Sequence, residues 1–318
     1  MDNVKFLHLA NHIHQNLFRD KFMIGGFYNW HMAFKGDFKL WGKHLEKTLE
    51  NYDVLFIGIS RPELEGGLAT DVRRAIGWES KTKLVLCIDY AIELWQDTFN
   101  PRALENELLQ ADMIFVSEPA MKSWVSAIIN ERKPVHHIVH PSNLDAIERI
   151  SKPIEIRDEE LIALIHRYDN YWFPMYLVSR NVDYVTTAVM LDPSIEIRIL
   201  AFFPMTKQGL MFTEYLEWAS RKKVCVESYH RIHTYGRTAV DNASLQLPTV
   251  GTDLVYSQEY LWPDLTVKSG DVLTQAKLIN KLFKEKEFYL DCVEKAKEFV
   301  QRYSYENRKK ELLEKLYD

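Results

Sequence analysis

Residues 233–252 read HTYGRTAVDNASLQLPTVGT, with Gly236 and Arg237 at the mouth of a helical pattern and Asp241 five residues past the glycine. A helix N-terminus carries partial positive charge and N–H groups without intrahelical partners, so an arginine there is repelled unless an anion sits beside it. A diphosphate would be attracted by amides, helix dipole and guanidinium together. Asp241 lies about 7.5 Å further along the axis at the helical rise. A carboxylate at that range reaches the two hydroxyls of a ribose joined to the diphosphate. The order of residue types therefore points to a nucleoside diphosphate. The competing assignment pairs Arg237 with a nearby acid and leaves Asp241 in solvent. The apolar spacing predicts a helix of about three turns with Val240, Ala243 and Leu247 inward.

Other residues carry chemistry of their own. Asp89 follows the apolar run LVLCI, where a carboxylate could orient or deprotonate a hydroxyl. It would equally cap the segment AIELWQ that follows. Residues 22–50 are aromatic and basic at once. Gly25 and Gly26 allow a tight turn with exposed N–H groups. Phe27, Tyr28, Trp30, Phe34, Phe38 and Trp41 could stack on sugar rings, or rest on a membrane surface beside Lys35, Lys39 and Lys43. They could also pack onto a sheet as an irregular hairpin. Gly66 and Gly67 open a helix and would either cradle a phosphate or simply turn the chain. The spacings HIH (12–14) and HHIVH (136–140) resemble those of metal ligands. But His136, His137 and His140 fall mostly on a strand, whose alternation sends neighbours to opposite faces, and no carboxylate or cysteine accompanies them. No metal site is expected. His8 and His166 end strands, as site or as core residues.

The elements that must position these groups follow a rhythm. Short apolar runs at 4–9, 54–59, 84–88, 113–116 and 135–139 alternate with segments long enough for helices. Runs of this kind fit strands buried on both faces of a parallel sheet. The stretch 142–160 is polar, carries Pro153 and reads as a linker. The rhythm resumes at 161–166, 195–203, 223–228, 247–252 and 265–267. The end of the chain is helical, with Ser304 placed to cap a last helix. Two doubly wound sheets bind ligands at the carboxyl ends of their strands, which is where the candidate residues fall.

Composition narrows the class. The chain has 318 residues, 47% hydrophobic and 27% charged, with a formal net charge of −5, which supplies no global basic field for nucleic acid. Cys87, Cys225 and Cys292 are dispersed, as reduced thiols would be, and the start MDNVKFLHLANHIHQ lacks a signal-peptide pattern. A cytoplasmic protein is expected, with the stretch at 22–50 allowing peripheral membrane contact.

The 233–252 stretch resembles the donor-site motif of the large, mostly retaining class of GT-B glycosyltransferases. That motif runs glutamate, any residue, aromatic, glycine, four residues, Glu-Ala, and a proline seven places after the second glutamate. His233, Tyr235, Gly236, Asp241, Asn242 and Pro248 stand at those positions, and Ser228 falls near a serine common in the family. Residues 111–125, 135–145, 259–267 and 299–307 are similar to further segments in the same order. The resemblance implies an α/β fold of two Rossmann-like domains facing a cleft. Residues 1–150, with the C-terminal helix 304–318 crossing back, would form the acceptor domain, and residues 158–303 the donor domain.

The resemblance also implies transfer of a sugar from a UDP- or GDP-type nucleotide donor, with retention and without a metal or other cofactor. The acceptor would be a glycan, a lipid-linked molecule or another hydroxyl. His233 would contact the donor sugar, and Tyr235, Gly236, Arg237 and Arg167 the diphosphate. Asp241 would hold the ribose and Asp89 would stand near the reacting sugar, with Gly25, Gly26 and Trp30 near the acceptor. Three positions depart from the family pattern. His233 replaces its first glutamate, Asp241 shortens its second, and Trp172 stands where a lysine is usual, five places after Arg167. Two alternatives stay open: a GT-B protein that binds nucleotide or glycan without turnover, and a transferase acting on nucleic acid.

Overall fold

A computed structural model describes residues 4–11, 26–59, 61–89, 100–166, 190–194, 196–202, 212–227 and 234–318. Gly25, Arg167, Trp172, Ser228 and His233 lie outside the described residues. The chain divides into two compact units, one ending at Ser142 and resuming at Tyr303–Asp318, the other over Asn143–Arg302.

The first unit is built on six parallel strands in the order β2-β1-β3-β4-β5-β6. They are β1 (Phe6–Ala10), β2 (Asp37–Leu40), β3 (Val54–Ile59), β4 (Lys83–Ile88), β5 (Met113–Val116) and β6 (Val135–His137). Alternate residues feed two cores. Leu55, Ile57, Leu84, Leu86 and Ile114 pack on one face, and Phe56, Val85, Cys87 and Phe115 on the other. Burial on both faces is what makes these strands continuous apolar runs.

The aromatic stretch, for which an irregular hairpin was one expectation, leads instead through a helix into a strand parallel to β1. Helix α1 (Tyr28–Phe34) leads into β2, which pairs parallel to β1 at the sheet edge. Its residues DFKL are half exposed, so an edge strand here lacks the apolar signature of its neighbours. Further α-helices among the described residues of this portion are α2 (Arg61–Glu65), α3 (Leu68–Ile76), α4 (Pro101–Leu108) and α5 (Pro119–Ile128).

The second unit carries five parallel strands in the order β11-β10-β9-β7-β8. They are β7 (Asp158–His166), β8 (Glu196–Phe202), β9 (Lys222–Glu227), β10 (Thr249–Thr252) and β11 (Thr266–Val267). Its helices are α6 (Leu144–Glu148), α7 (Phe212–Ala219), α8 (Arg237–Ser244), α9 (Tyr256–Leu261), α10 (Val272–Lys284) and α11 (Lys286–Phe299). The order reverses between β7 and β9, and between β1 and β3 in the first unit, so each sheet has a switch point where ligand crevices form.

The expected linker at 142–160 is ordered structure. It holds α6, and Arg157 donates from Nη2 to Leu245 O at 2.7 Å and from Nη1 to Gln246 O at 2.8 Å. The last helix, α12 (Tyr305–Tyr317), belongs to the first unit, and Ser304 Oγ caps it by accepting from Asn307 N at 3.3 Å. No helix among the described residues is long and apolar enough to cross a membrane.

Candidate functional site

In the second unit the chain enters α8 through a turn that only glycine fits. Thr234 N donates to Leu254 O at 2.9 Å, Tyr256 N to Thr234 O at 3.0 Å and Ser257 N to Tyr235 O at 3.0 Å. These bonds lay residues 234–236 against the start of α9. Gly236 then takes φ +78°, and a Cβ on it would lie 2.0 Å from Val255 Cγ1. Both the left-handed backbone and the missing volume exclude a side chain. Gly236, the N-cap residue of α8, has no side chain with which to cap the helix.

The far end of that helix is closed firmly. Gln246 adopts φ +58°, Leu247 N donates to Asn242 O at 2.8 Å and Gln246 N to Ala243 O at 3.1 Å, the Schellman pattern of a helix stop. Arg157 and Ser151 Oγ, the latter at 2.7 Å, donate to the carbonyls beyond it. The helix is therefore shorter than its apolar spacing predicted, ending at Ser244 with Leu247 buried just past the turn. Trp262 Nε1 donates to Ala239 O at 3.2 Å and Asn242 Nδ2 to Thr249 Oγ1 at 2.9 Å, which fix α8 from behind.

Arg237 and Asp241 are brought together. Arg237 Nε lies 3.2 Å from Asp241 Oδ2 and 3.5 Å from Oδ1, one turn apart on the helix. Asp241 is buried rather than solvated. Burial pushes its carboxyl up to about 6; the Arg237 guanidinium opposes the rise, and nearby Glu227 adds to it. Glu227 ends β9 at the switch point and is 1% exposed. The Tyr215 hydroxyl on α7 also feels both acids. Two buried carboxylates and one guanidinium thus converge at the carboxyl edge of this sheet. Glu227 escaped the sequence reading, although an acid closing the run KVCVE was its visible sign.

In the first unit, residues after four different strands meet at the carboxyl edge. Asp89 follows β4, Ser117 follows β5, His140 lies beyond β6, and Gly26 precedes α1. Ser117 Oγ donates to Asp89 Oδ1 at 2.5 Å, and His140 Nε2 stands 3.1 Å from Asp89 Oδ2. Trp30 Nε1 donates to His140 Nδ1 at 3.1 Å. Gly26 passes so close to the imidazole that a Cβ would lie 2.4 Å from its Cδ2. Trp30, expected as a stacking face for a sugar, is fully buried among Phe56 and Phe115. It serves the core with its ring and His140 with its N–H. His137 goes elsewhere, its Nε2 lying 3.2 Å from Ser117 O.

The Gly66-Gly67 turn opens α3 with Gly67 at φ +63°, and the anion at that helix end is the chain's own. The Glu107 carboxylate accepts from Ala69 N at 2.7 Å and Thr70 N at 3.3 Å. It also accepts from Thr70 Oγ1. No phosphate is needed there.

No family model and no curated protein sequence matches the chain. Solved structures match its fold. An alpha-glucosyltransferase in complex with UDP-glucose and DNA containing an abasic site superposes with a TM-score of 0.64 at 11% identity, over 98% of this chain and 99% of that one. Alr3699/HepE from Anabaena, in complex with UDP and glucose, gives 0.62 at 12% identity over 99% of each chain. TarM gives 0.60 at 11% identity over 86% of this chain, which spans 57% of TarM. At this level of identity the likeness establishes architecture: two Rossmann-like parallel-sheet units of the GT-B kind.

Proposed function

We propose that the protein is a GT-B glycosyltransferase, moving a hexosyl group from a nucleoside diphosphate sugar to a hydroxyl acceptor. One observation carries the reading: a glycine-forced turn leads into a helix whose first residue is Arg237, and a buried acid lies one turn inside. The solved structures of like fold whose descriptions name UDP agree with it.

The second unit is assigned the donor. The amides around Gly236, with Tyr235, Arg237 and Arg167, would receive the diphosphate, and their positive character would stabilise it as it departs. Asp241, ionised above about pH 6, would accept hydrogen bonds from the ribose hydroxyls. His233 would contact the donor sugar. The first unit is assigned the acceptor, with Asp89, Gly25 and Gly26 near its hydroxyl. The anomeric carbon–oxygen bond breaks with its electron pair leaving on the diphosphate. The acceptor oxygen forms the new bond and gives up its proton to the Asp89 carboxylate. Retention is part of the proposal, as is chemistry without a metal, the cationic role falling to the helix end and the arginines.

Titration calorimetry with UDP and GDP, beside a transfer assay with the corresponding glucose donors, tests the reading. Micromolar binding of one nucleotide with transfer or slow donor hydrolysis is expected. Binding with neither reaction makes this a nucleotide-binding protein, and no binding of either nucleotide removes the proposal.

A further inference from the structure

Two histidines are shut inside the first unit near its β2 edge. His8 lies in the middle of β1 and is 2% exposed; His31 lies on α1 and is 7% exposed. His8 stands in register with Phe38 of β2 and Phe56 of β3, and its ring meets each of theirs at 4.9 Å between centroids. Tyr28 of α1 lies 5.3 Å from the same ring. The His31 ring lies 6.1 Å from that of His8 and 5.6 Å from that of Phe38. Among the described residues, neither Nδ1 has a hydrogen-bond partner. A neutral imidazole can leave Nδ1 as a bare acceptor. A protonated one turns Nδ1 into a donor with nothing to receive it, and brings charge into an aromatic cage.

The charged groups around the pair do not reverse this. Burial holds His8 well below its ordinary 6.5, and His31 lowers it further. Burial also pushes His31 down, more than the Tyr28 backbone and Asp37 of β2 pull it up. Asp37 accepts from the Tyr52 hydroxyl, which in turn accepts from Lys39 of β2 at 3.0 Å. The Tyr28 hydroxyl is pushed up to about 12 by burial and by Glu63, and so stays neutral. From β3 the pair meets the Phe56 ring.

We propose that His8 and His31 form an acid-triggered latch: uncharged, they let α1 and β2 close over β1, and on taking up protons they force that layer off the sheet. The layer is lightly held. β2 pairs with β1 over four residues and is half exposed, and α1 spans 7 residues. α1 also carries Trp30, whose N–H meets His140 at 3.1 Å, and it follows Gly26, which presses on the same imidazole. Opening the latch therefore disturbs the carboxyl edge of the sheet as well. The latch is independent of the transferase reading.

Hydrogen exchange on the full-length protein between pH 8 and 5, corrected for the intrinsic rate at each pH, tests this. The unfolded layer binds these protons and the closed layer does not, so its stability falls as pH drops below 6.5. Protection of the α1 and β2 amides should fall up to about a hundredfold per pH unit there, about tenfold for each proton, while that of α11 changes less than about threefold. The double variant His8→Phe with His31→Phe refills the cage with rings that cannot charge, and should keep α1 and β2 protected at pH 5. His31→Gln alone leaves one proton to be taken up and should cut the slope to about tenfold per unit; it decides the matter if the double variant does not fold. A parent whose α1 and β2 amides stay as protected as those of α11 down to pH 5 overturns the latch. Acid sensitivity undiminished in the variants does the same, since other groups then carry it.

Discussion

Two helices in this molecule, α3 and α8, open from a glycine in the left-handed region, at φ +63° for Gly67 and +78° for Gly236. Both ends concentrate amide N–H groups and the positive pole of the helix dipole. At α3 the chain supplies the anion itself, the carboxylate of Glu107 taking Ala69 N and Thr70 N. At α8 the first residue is Arg237, whose guanidinium pairs with Asp241 one turn along the same helix. One end thus takes its anion from the neighbouring helix α4, while the other opens with a guanidinium whose acid lies inside its own helix. The glycine alone does not distinguish the two ends; the charged groups beside each of them do.

The sharpest way to break the comparison is to put a methyl group on each glycine. At Gly67 the nearest atom to an added Cβ is Glu107 Oε1 at 3.8 Å, so only the left-handed backbone is strained. Gly67→Ala should cost about 1 kcal/mol. At Gly236 the same strain is joined by overlap with Val255, 2.0 Å away, for a total of roughly 3 kcal/mol. Chemical denaturation reads both. Gly236→Ala should also abolish UDP binding, and Val255→Ala added to it should recover part of the stability. Equal costs at the two glycines would show that the Val255 contact relaxes freely and that the turn is no tighter than an ordinary one.

Removing the internal anion comes next. Glu107 is 4% exposed, and burial raises its carboxyl while the Thr70 and Ala69 donors lower it. Glu107→Ala should cost about 2 kcal/mol, from the lost cap and the stranded amides. Inorganic phosphate should then stabilise the variant more than the parent in thermal melts, because the vacated helix end accepts an anion. A variant indifferent to phosphate would mean that the α3 end never resembled that of α8.

The acid inside α8 gives a pH signature. The Asp241 carboxyl is raised from 3.8 to about 6 by burial, with Arg237 opposing. A raised acid favours the protonated form in the fold. Its stabilising contribution is complete below about pH 4 and is lost as pH rises through 6, about 3 kcal/mol over that window. Ribose hydroxyls need the carboxylate, so UDP affinity should run the other way, weakening up to tenfold per unit below pH 6. Asp241→Asn should flatten that dependence. Arg237→Ala should move its midpoint upward, since the guanidinium no longer supports the charge. A UDP affinity independent of pH from 5 to 8 would remove Asp241 from the ribose.

The doubly buried strands and the turn at Gly236 were readable from sequence because their physics is local. An apolar run bounded by turns says strand, and Gly-Arg before an amphipathic pattern says a helix start. Other features depended on partners far along the chain. β2 hides in DFKL because an edge strand needs only one apolar face. Residues 142–160 read as a linker because nothing local reveals that Arg157 meets the carbonyls at 245 and 246. The stop of α8 rests on Gln246 in a conformation usually left to glycine. Strand alternation does not reach His140, because β6 ends at His137. Trp30 reads as a surface aromatic until the pairing of α1 with the sheet buries it. The Arg237–Asp241 pair was legible as a four-residue spacing, whereas the burial that raises the acid was not.

The smallest test separates the side-chain and backbone parts of the α3 cap. Glu107 receives one hydroxyl donor from Thr70 and two amide donors from the helix backbone. Thr70→Val keeps the shape and removes only the hydroxyl, while both amides still meet the carboxylate. A loss of about 1 kcal/mol in urea denaturation is expected, near half that of Glu107→Ala. The amide bonds also keep the cap charged, so the variant should show no added response to phosphate. If Thr70→Val instead matches Glu107→Ala in both cost and phosphate response, the hydroxyl holds the carboxylate in place. The helix amides would then be too weak to keep an internal anion, and the contrast with α8 would rest on one threonine rather than on the helix end itself.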